Sequence, residues 1–267
     1  MDPHTYVVAD LHVDYWDDSF PNPSPCGTRH HHPLVWDKPD EDAVLVVAGD
    51  VSDNMDTTIQ YISSLTTFYN EVLFIDGNHE SCASYPDLPS DLDISSKIKT
   101  THNANIHFLT DGPFTKDGIA YVGRCGWWDY VKEAEKENED YFAEWMPHLD
   151  SSQVTAFHEN VGLKAAEDYA SIVRDLVKME KCKEVERIIL VTHTIPHRRF
   201  CNESGTLHYL NTLLEKIDSK SYPKLDTWIF GHVHEKWDTV IDGVRYIANP
   251  RGRMDDYGRI QYSPVRI

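Results

Sequence analysis

The chain has 267 residues, of which 40% are hydrophobic and 26% charged, a composition typical of a globular protein with a sizeable core. Its formal net charge of −19, from 44 acidic and 25 basic residues, disfavours nonspecific binding to nucleic acid or to anionic membranes. No apolar stretch approaches the roughly 20 residues that span a bilayer, and no signal peptide precedes the first predicted strand. Five scattered cysteines without a CxxC spacing are typical of free thiols in a reducing cytosol. We therefore expect a cytoplasmic protein.

The first third of the chain alternates apolar runs with polar segments. β-branched runs and helical spacing predict strands at 6–9, 43–48 and 72–75 and a helix at 57–69. Residues 14–42 are polar and rich in proline, which predicts a long surface loop. The run His30-His31-His32 in this loop has two interpretations, a metal ligand set or a solvated run. We favour the solvated run, because adjacent loop residues rarely converge on one ion.

The middle of the chain combines short strands with long helices. Residues 81–105 are polar and interrupted by proline, with room for one short helix, and strands are predicted at 106–109, 113–115 and 119–122. Asp117-Gly118 predicts a tight hairpin turn between the last two strands. An acidic segment at 133–145 is typical of a solvated helix face. A long helix is predicted at 153–181, with Ser151 or Ser152 as its N-cap.

The last third returns to strands. The pattern predicts a strand at 188–192, a helix at 206–217, a strand at 227–230, and a hairpin of strands 238–241 and 244–248 that turns at Asp242-Gly243. Without a linker or repeat, the order of elements indicates an α/β (α+β) fold, in which two mixed sheets pack as a sandwich flanked by helices. We expect one domain over residues 1–267, with the loops 14–42, 81–105 and 124–150 on the substrate side.

Five short polar clusters each follow one of the apolar strands. They are Asp10-Leu11-His12, Gly49-Asp50, Gly77-Asn78-His79-Glu80, His193, and Gly231-His232-Val233-His234. Asp, His and Asn without Cys form a ligand set suited to divalent Mn, Fe or Zn. Open α/β sheets place their ligands at strand ends. The clusters therefore predict a metal-dependent hydrolase.

This order of motifs resembles the calcineurin-like metallophosphoesterase superfamily over residues 10–234. The segments 226–230, 249–252 and 123–129, the last containing Trp127-Trp128-Asp129, are similar to a bacterial and phage branch of phosphohydrolases. The resemblance implies a centre with two divalent ions (Mn, Fe or Zn) bridged by Asp50, whose carboxylate has two oxygens to share. By resemblance, one ion is bound by Asp10, His12 and His234, and the other by Asn78, His193 and His232. On a regular strand, residues i and i+2 such as His232 and His234 point the same way.

By resemblance, His79 is the histidine of these motifs that does not bind a metal ion. By resemblance it faces the scissile ester and donates a proton to the leaving group or stabilises its charge. Asp53 matches the carboxylate that orients such a histidine in related phosphoprotein phosphatases, and a carboxylate partner raises the pKa of a histidine. The alternative role for Asp53 is to cap the helix predicted near Thr57.

This chain differs from related families at two positions that bear on phosphate binding. The phosphoprotein phosphatases carry an arginine where this chain has Asn54, and the bacterial branch often has a second histidine where it has Thr194. Arg251 and Arg124 are the candidate substrate-binding residues, and His197, Arg198 and Arg199 lie in a loop after a ligand. For each of these, a surface charge or a structural hydrogen bond is the alternative. Trp127 and Trp128 can stack a base, but we favour a place in the core.

The resemblance implies a binuclear phosphoesterase that hydrolyses a phosphomonoester or phosphodiester by attack of a metal-bound hydroxide. The alternatives are a cyclic-nucleotide or other nucleotide phosphodiesterase, a dinucleoside polyphosphate hydrolase, a nuclease disfavoured by the net charge, and a metal-stabilised scaffold without turnover. Such scaffolds typically lose the equivalent of His79 or several ligands, which this chain retains. The expected partner is a small phosphorylated substrate, with nucleotides among the candidates. Its identity, the native metals and the oligomeric state do not follow from the sequence.

Overall fold

Two mixed β-sheets packed face to face, with helices on their outer sides, form the fold in the computed structural model. The structure describes residues 4–15, 42–85, 87–89, 91–130, 150–201, 209–253 and 262–267. Most of the predicted loops 14–42 and 124–150, the histidine run at 30–32 and the predicted helix at 133–145 lie outside the described residues. Among the described residues, no helix combines the length and the apolar character that crossing a membrane requires.

The first sheet has five strands, ordered β11-β1-β2-β3-β4. Their bounds are β1 Thr5–Val8, β2 Val44–Ala48, β3 Glu71–Ile75, β4 Ile106–Phe108 and β11 Val265–Arg266. Strands β1 to β4 are parallel to their neighbours, and β11 pairs with β1 in antiparallel orientation. The sequence pattern did not predict β11, which has only two residues.

The second sheet has six strands, ordered β5-β6-β7-β8-β10-β9. Their bounds are β5 Phe114–Lys116, β6 Ile119–Arg124, β7 Arg187–Thr192, β8 Leu225–Phe230, β9 Trp237–Ile241 and β10 Val244–Ala248. The four inner strands are parallel, and the hairpin partners β5 and β9 form antiparallel edges. Both hairpins turn through residues with positive φ, as a two-residue Asp-Gly turn requires: Asp117, Gly118, Asp242 and Gly243.

Three apolar layers hold the fold together. The inner faces of both sheets form the central layer, in which Val46, Leu73, Tyr121 and Ile229 are buried. Helices α1 (Met55–Leu65) and α2 (Asp91–Thr100) cover the outer face of the first sheet, and α3 (Ser151–Lys181) covers the outer face of the second. Because inner strands such as β2, β6 and β7 are buried on both faces, they appear as continuous apolar runs in the sequence, whereas the edge strands β5 and β9 are partly exposed.

Helix starts differ from the sequence predictions, because different side chains cap them. Helix α1 begins at Met55, where the Asn54 side chain accepts hydrogen bonds from Asp56 N and Thr57 N. Helix α3 is capped by Asp150, not by Ser151 or Ser152, and Asp150 forms a reciprocal capping box with Gln153.

The helix predicted at 206–217 is wrong for its described part. Residues 210–213 are not helical, and only a short 3₁₀ turn, Leu214–Lys216, follows. The Asn211 side chain donates to Trp127 O at 2.7 Å and accepts from Leu213 N at 3.0 Å. Such side-chain bonds to the backbone compete with helix formation, and the apolar residues that suggested a helix are buried without it.

Candidate metal centre

The seven predicted ligands lie at strand ends on an unusual backbone. Five of them have positive φ angles: Asp10, His12, Asp50, His232 and His234. Non-glycine residues adopt this conformation rarely and at a cost, and they persist where the surrounding structure enforces it. Backbone hydrogen bonds from Asp10 N to Gly49 O and from His12 N to Asp50 O tie the first two loops together. The strand ends therefore impose the directions of these side chains.

Two glycines of the motifs allow close approach. A Cβ atom on Gly77 would overlap Asp50 Oδ1, and a Cβ on Gly231 would lie 2.8 Å from Asp10 Oδ2. The motif glycines therefore make room for the two carboxylates.

Asp10, His12 and His234 form the first ligand group. His12 Nε2 lies 3.0 Å from His234 Nε2, and His234 Nε2 lies 3.7 Å from Asp10 Oδ1. Asp10 is fully buried, and its Oδ2 has no hydrogen-bond partner among the described residues. Burial raises the pKa of Asp10 and holds the pKa of His12 well below its usual value.

Asn78, His193 and His232 form the second group with Asp50. His193 Nε2 lies 3.1 Å from Asn78 Oδ1 and 3.2 Å from Asp50 Oδ2, and His232 Nδ1 lies 2.8 Å from Asn78 Oδ1. The carbonyl of Ala48 lies 2.9 Å from His193 Nδ1 and can only accept, so this nitrogen carries a proton. Burial, with the nearby His193, holds the pKa of His232 well below its usual value, which favours its neutral, ligating form.

One oxygen of Asp50 is shared by the two groups. Asp50 Oδ2 lies 3.9 Å from His12 Nε2 and 3.2 Å from His193 Nε2. Asp50 Oδ1 instead accepts a hydrogen bond from His79 N at 2.9 Å. Burial opposes ionisation of Asp50, but the neighbouring histidines hold its pKa well below the usual value. Oδ1 thus faces the backbone of His79, while Oδ2 faces both groups, and the bridging role of Asp50 stays a prediction.

These residues fit divalent metals. A buried carboxylate oxygen without a hydrogen-bond partner is costly, and a cation offsets that cost. The two groups present imidazole nitrogens and carboxylate or amide oxygens, which bind Mn, Fe and Zn. The second group also brings the acceptor Asn78 Oδ1 against two imidazole nitrogens. Such an arrangement needs a proton or a metal ion between the acceptors.

His79 lies beside these groups with Asp53 behind it. Its Nδ1 lies 2.6 Å from Asp53 Oδ1, and its Nε2 lies 3.8 Å from Asp50 Oδ2. Burial alone would lower the pKa of His79, but the two carboxylates raise it. Tyr15 Oη donates to the other oxygen of Asp53 at 2.7 Å. Asp53 thus orients His79, while Asn54 caps the helix.

Glu80, which had no predicted role of its own, connects two loops of the site. Its buried carboxylate accepts from Asp50 N at 3.0 Å, Val51 N at 2.7 Å and Gly77 N at 2.7 Å, and also from Ser52 N and Thr58 Oγ1. Glu80 therefore fixes the loop after β2 against the loop after β3. The position of Glu80 directly after Asn78-His79 was the one hint that it belongs to the site. Its role in joining the loops could not be predicted, because backbone and hydroxyl donors to a carboxylate leave no pattern in the sequence.

The arginines predicted to bind substrate have other partners in the structure. Arg124 is buried, donates to Leu109 O and pairs with Asp175 of α3 at 2.9 Å, which is a structural role. Arg251 is buried near the phenols of Tyr61 and Tyr262, and burial lowers its pKa to about 10. Arg198 is held by Glu215 at 2.9 Å. None of these three has a described contact with a predicted metal ligand or with His79.

Arg253, which was not among the predicted site residues, does contact the site. Its Nη2 lies 2.6 Å from His79 Nε2, and its guanidinium carbon lies 4.8 Å from the centre of the Tyr15 ring. It follows the Asn249–Gly252 turn by one residue. Its neighbours in sequence gave no signal that its side chain turns back to His79.

The tryptophan pair is part of the core, as favoured. Trp127 and Trp128 are 1% and 4% exposed and pack in a cluster with Phe157 and Val161 of α3. The ring of Trp128 also lies 5.7 Å from that of His232, so this cluster supports one ligand.

Two neighbouring Asp/His/Asn groups at the strand ends of a two-sheet sandwich define a metal-dependent hydrolase. A family model for the calcineurin-like phosphoesterases matches residues 3–236, and the chain belongs to this family. A search of the curated proteins gave no match. The family and the clustered ligands make this a phosphoesterase-type hydrolase with candidate metal sites.

One solved structure shares the fold. The chain is similar to phosphopantetheinyl hydrolase from Mycobacterium tuberculosis, with a TM-score of 0.69 and 18% identity over 98% of this chain and 95% of that one. It is also similar to a protein assigned as a 5′-nucleotidase from Staphylococcus aureus, with a TM-score of 0.45 and 17% identity over 94% of this chain and 48% of that one. The first likeness bears out the two-sheet sandwich flanked by helices.

Proposed function

We propose that the protein is a binuclear metal-dependent phosphoesterase that hydrolyses a phosphomonoester or phosphodiester. The observation that carries the proposal is the sharing of Asp50 Oδ2 between two ligand groups. Asp10, His12 and His234 would hold one divalent ion, and Asn78, His193 and His232 the other, with Asp50 common to both. Manganese, iron and zinc all suit this ligand set.

When bound, the two ions would supply positive charge to the phosphate oxygens and lower the pKa of the attacking water. The chain itself contributes the general acid. In the reaction a bond forms between the water oxygen and phosphorus, and the bond between phosphorus and the leaving oxygen breaks. His79, oriented through Nδ1 by Asp53, would give its Nε2 proton to that leaving oxygen.

The retained acid favours an enzyme over an inactive scaffold. His79 and Asp53 keep their mutual contact at 2.6 Å, and their pKa values move apart, raised for His79 and lowered for Asp53 although burial opposes both shifts. Groups tuned in opposite directions are typical of catalytic pairs. A scaffold would have no need of this pairing.

We propose a small phosphorylated molecule as the substrate. Phosphopantetheinyl hydrolase and the 5′-nucleotidase are named for substrates of this kind, but the low identities bring only the fold to this chain. The net charge of −19 supports a small ligand over a nucleic acid.

A substrate panel tests the proposal. Protein reconstituted in turn with Mn²⁺, Fe²⁺ and Zn²⁺ is assayed against p-nitrophenyl phosphate, bis(p-nitrophenyl) phosphate, nucleoside monophosphates, cyclic nucleotides and dinucleoside polyphosphates. We expect metal-dependent release of phosphate or of an alcohol, abolished by chelation and restored by metal. Asp226→Asn is the matched control, because Asp226 pairs with Arg187 away from the ligand set. No turnover with any metal and any substrate would contradict the proposal and favour the scaffold.

A further inference from the structure

The turn after β10 carries Arg253 back to the site. Arg251 N donates to Ala9 O and Gly252 N donates to Asp10 O, each at 3.0 Å. Gly252 has a φ of +75°, which a glycine adopts without strain. The backbone of this turn is therefore bonded to the strand end that carries the ligand Asp10, and Arg253 follows directly.

The Arg253 guanidinium occupies the substrate side of His79. Its Nη2 donates to His79 Nε2 at 2.6 Å, on the nitrogen that lies 3.8 Å from the shared oxygen of Asp50. His79 Nδ1 faces Asp53, so Nε2 is the nitrogen that must face a leaving group. The guanidinium therefore lies where the phosphoryl group of a substrate would approach.

A fixed aromatic ring supports this guanidinium. The Tyr15 ring lies 4.8 Å from the guanidinium carbon, a cation–π distance, and Tyr15 Oη is bonded to Asp53. Arg253 itself is only half-buried, which leaves it accessible to a ligand. Asp53 thus orders both the acid His79 and, through Tyr15, the arginine.

Other residues that could bind phosphate are engaged elsewhere in the fold. Asn54, which stands where the phosphoprotein phosphatases have arginine, is used as a helix cap. Arg124 is bound to Asp175 and Arg198 to Glu215. Arg253, in contrast, donates a hydrogen bond to His79 itself. A guanidinium matches two phosphate oxygens with parallel N–H groups.

We propose that Arg253 binds the phosphoryl group of the substrate, and that its guanidinium leaves His79 Nε2 for the phosphoryl oxygens when substrate enters. The transfer frees Nε2, which accepts from the guanidinium in the structure, to take up a proton from solvent and then to give it to the leaving oxygen. Arg253 is thus a catalytic residue of this site and supplies the phosphate contact that Asn54 cannot. The inference rests on the proposed phosphoesterase function.

Binding of inorganic phosphate to the metal-reconstituted protein tests the inference. Phosphate affinity is measured by calorimetry for the wild type, Arg253→Ala, Arg253→Gln and the control Arg245→Ala, with metal content and thermal unfolding measured alongside. Arg245 is the matched control, because its guanidinium pairs with Asp238 within the β9–β10 hairpin. We expect phosphate affinity to fall about 10- to 100-fold in both Arg253 variants, the range for lost hydrogen bonds to a charged group, and to stay unchanged in Arg245→Ala.

The outcomes distinguish phosphate binding from a purely positioning role. Loss of phosphate affinity and of kcat/KM at unchanged metal content supports the inference. A lower kcat with wild-type phosphate affinity would make Arg253 only a positioning residue for His79 and would overturn it. If Arg253→Ala loses metal, Arg253→Gln decides by the same criterion, because it keeps most of the length of the side chain. Arg253-dependent phosphate binding in a protein that hydrolyses no substrate would refute the proposed function while sustaining this inference.

Discussion

At the scale of single residues, the proposed chemistry depends on the two ring nitrogens of His79. His79 Nδ1 is fixed by Asp53, and Nε2 faces Arg253 and the shared oxygen of Asp50. Because its backbone N–H also donates to Asp50 Oδ1, His79 orients the carboxylate that we propose as the bridge. A substitution of the side chain leaves that backbone contact possible, so the two roles can be separated by experiment.

His79→Ala should retain metal content and thermal stability but lose about 10²- to 10⁴-fold in kcat, the usual range for a proton-transfer group. The loss should be smaller for p-nitrophenyl phosphate than for an alkyl phosphate, because p-nitrophenolate leaves without protonation. Steady-state kinetics on the two esters measure the difference. Equal losses for both esters would argue against the acid role.

Asp53→Asn should slow proton transfer from His79 without changing the metal affinity. The amide cannot stabilise a protonated imidazole as the carboxylate does, so the pKa of His79 should fall. The falling limb of the kcat profile should therefore move to lower pH. Asp56→Asn, at an exposed position of α1, is the matched control, and an unmoved profile in Asp53→Asn would exclude the orienting role.

At the scale of elements, the loops after β2 and β3 act as one unit through Glu80. Its carboxylate accepts from four backbone N–H groups and one hydroxyl, all of them on buried residues. The same carboxylate thus holds the backbone of the bridging residue and the loop that carries Asn78 and His79.

Glu80→Ala should destabilise the fold by about 3 kcal/mol or more, because several buried donors lose their acceptor at a cost of about 1–3 kcal/mol each. Metal affinity should fall with it, since the loops of Asp50 and Asn78 lose their common anchor. Chemical denaturation and metal titration measure both effects. Glu167→Ala, on the exposed face of α3, is the control, and equal stability of the two variants would contradict the anchoring role.

Asp76, directly after β3, should make stability depend on pH. Burial raises its pKa from 3.8 to about 8, so the folded state binds the proton more tightly than the unfolded state. The folded state accommodates the neutral carboxyl of Asp76 and disfavours the charged one. The resulting contribution to the free energy of unfolding is therefore fully present below pH 3.8 and is lost as the pH rises towards about 8. Asp76→Asn should therefore lose less stability between about pH 5 and pH 8 than the wild type, as measured by urea unfolding, with the exposed Asp87→Asn as control. An equal loss of stability over this pH range in the wild type, Asp76→Asn and Asp87→Asn would refute the role of Asp76.

At the scale of the whole molecule, the sequence was most informative where strands are buried on both faces. Apolar and β-branched runs located the parallel strands of both sheets, and the Asp-Gly pairs located both hairpins with their edge strands β5 and β9. The polar residues after these runs then predicted which side chains the structure brings together, because strand ends meet at one edge of a parallel sheet. Their order along the chain was sufficient for this proximity, and their role as ligands stays a prediction.

The remaining features of the site depend on contacts between distant residues, which produce no repeating pattern in the sequence. Arg251 and Arg253 are separated by one glycine, and only the backbone turn decides which of them reaches His79. The structural role of Arg124 depends on Asp175, fifty-one positions away. Asn211, in a segment predicted to be helical, instead bonds to Trp127, which is 84 positions away in sequence. Such pairings are products of the folded topology, so a single sequence predicts the residue types but not their partners.

Metal stoichiometry is the most direct test of the proposed centre, because every proposed role depends on Asp50 lying between two ions. Elemental analysis and anomalous scattering should find up to two divalent ions per chain in the wild type. Asp50→Asn should lose affinity at both positions, while Asp226→Asn binds as the wild type does. Retention of both ions at full affinity by Asp50→Asn would contradict the shared oxygen on which the centre is built.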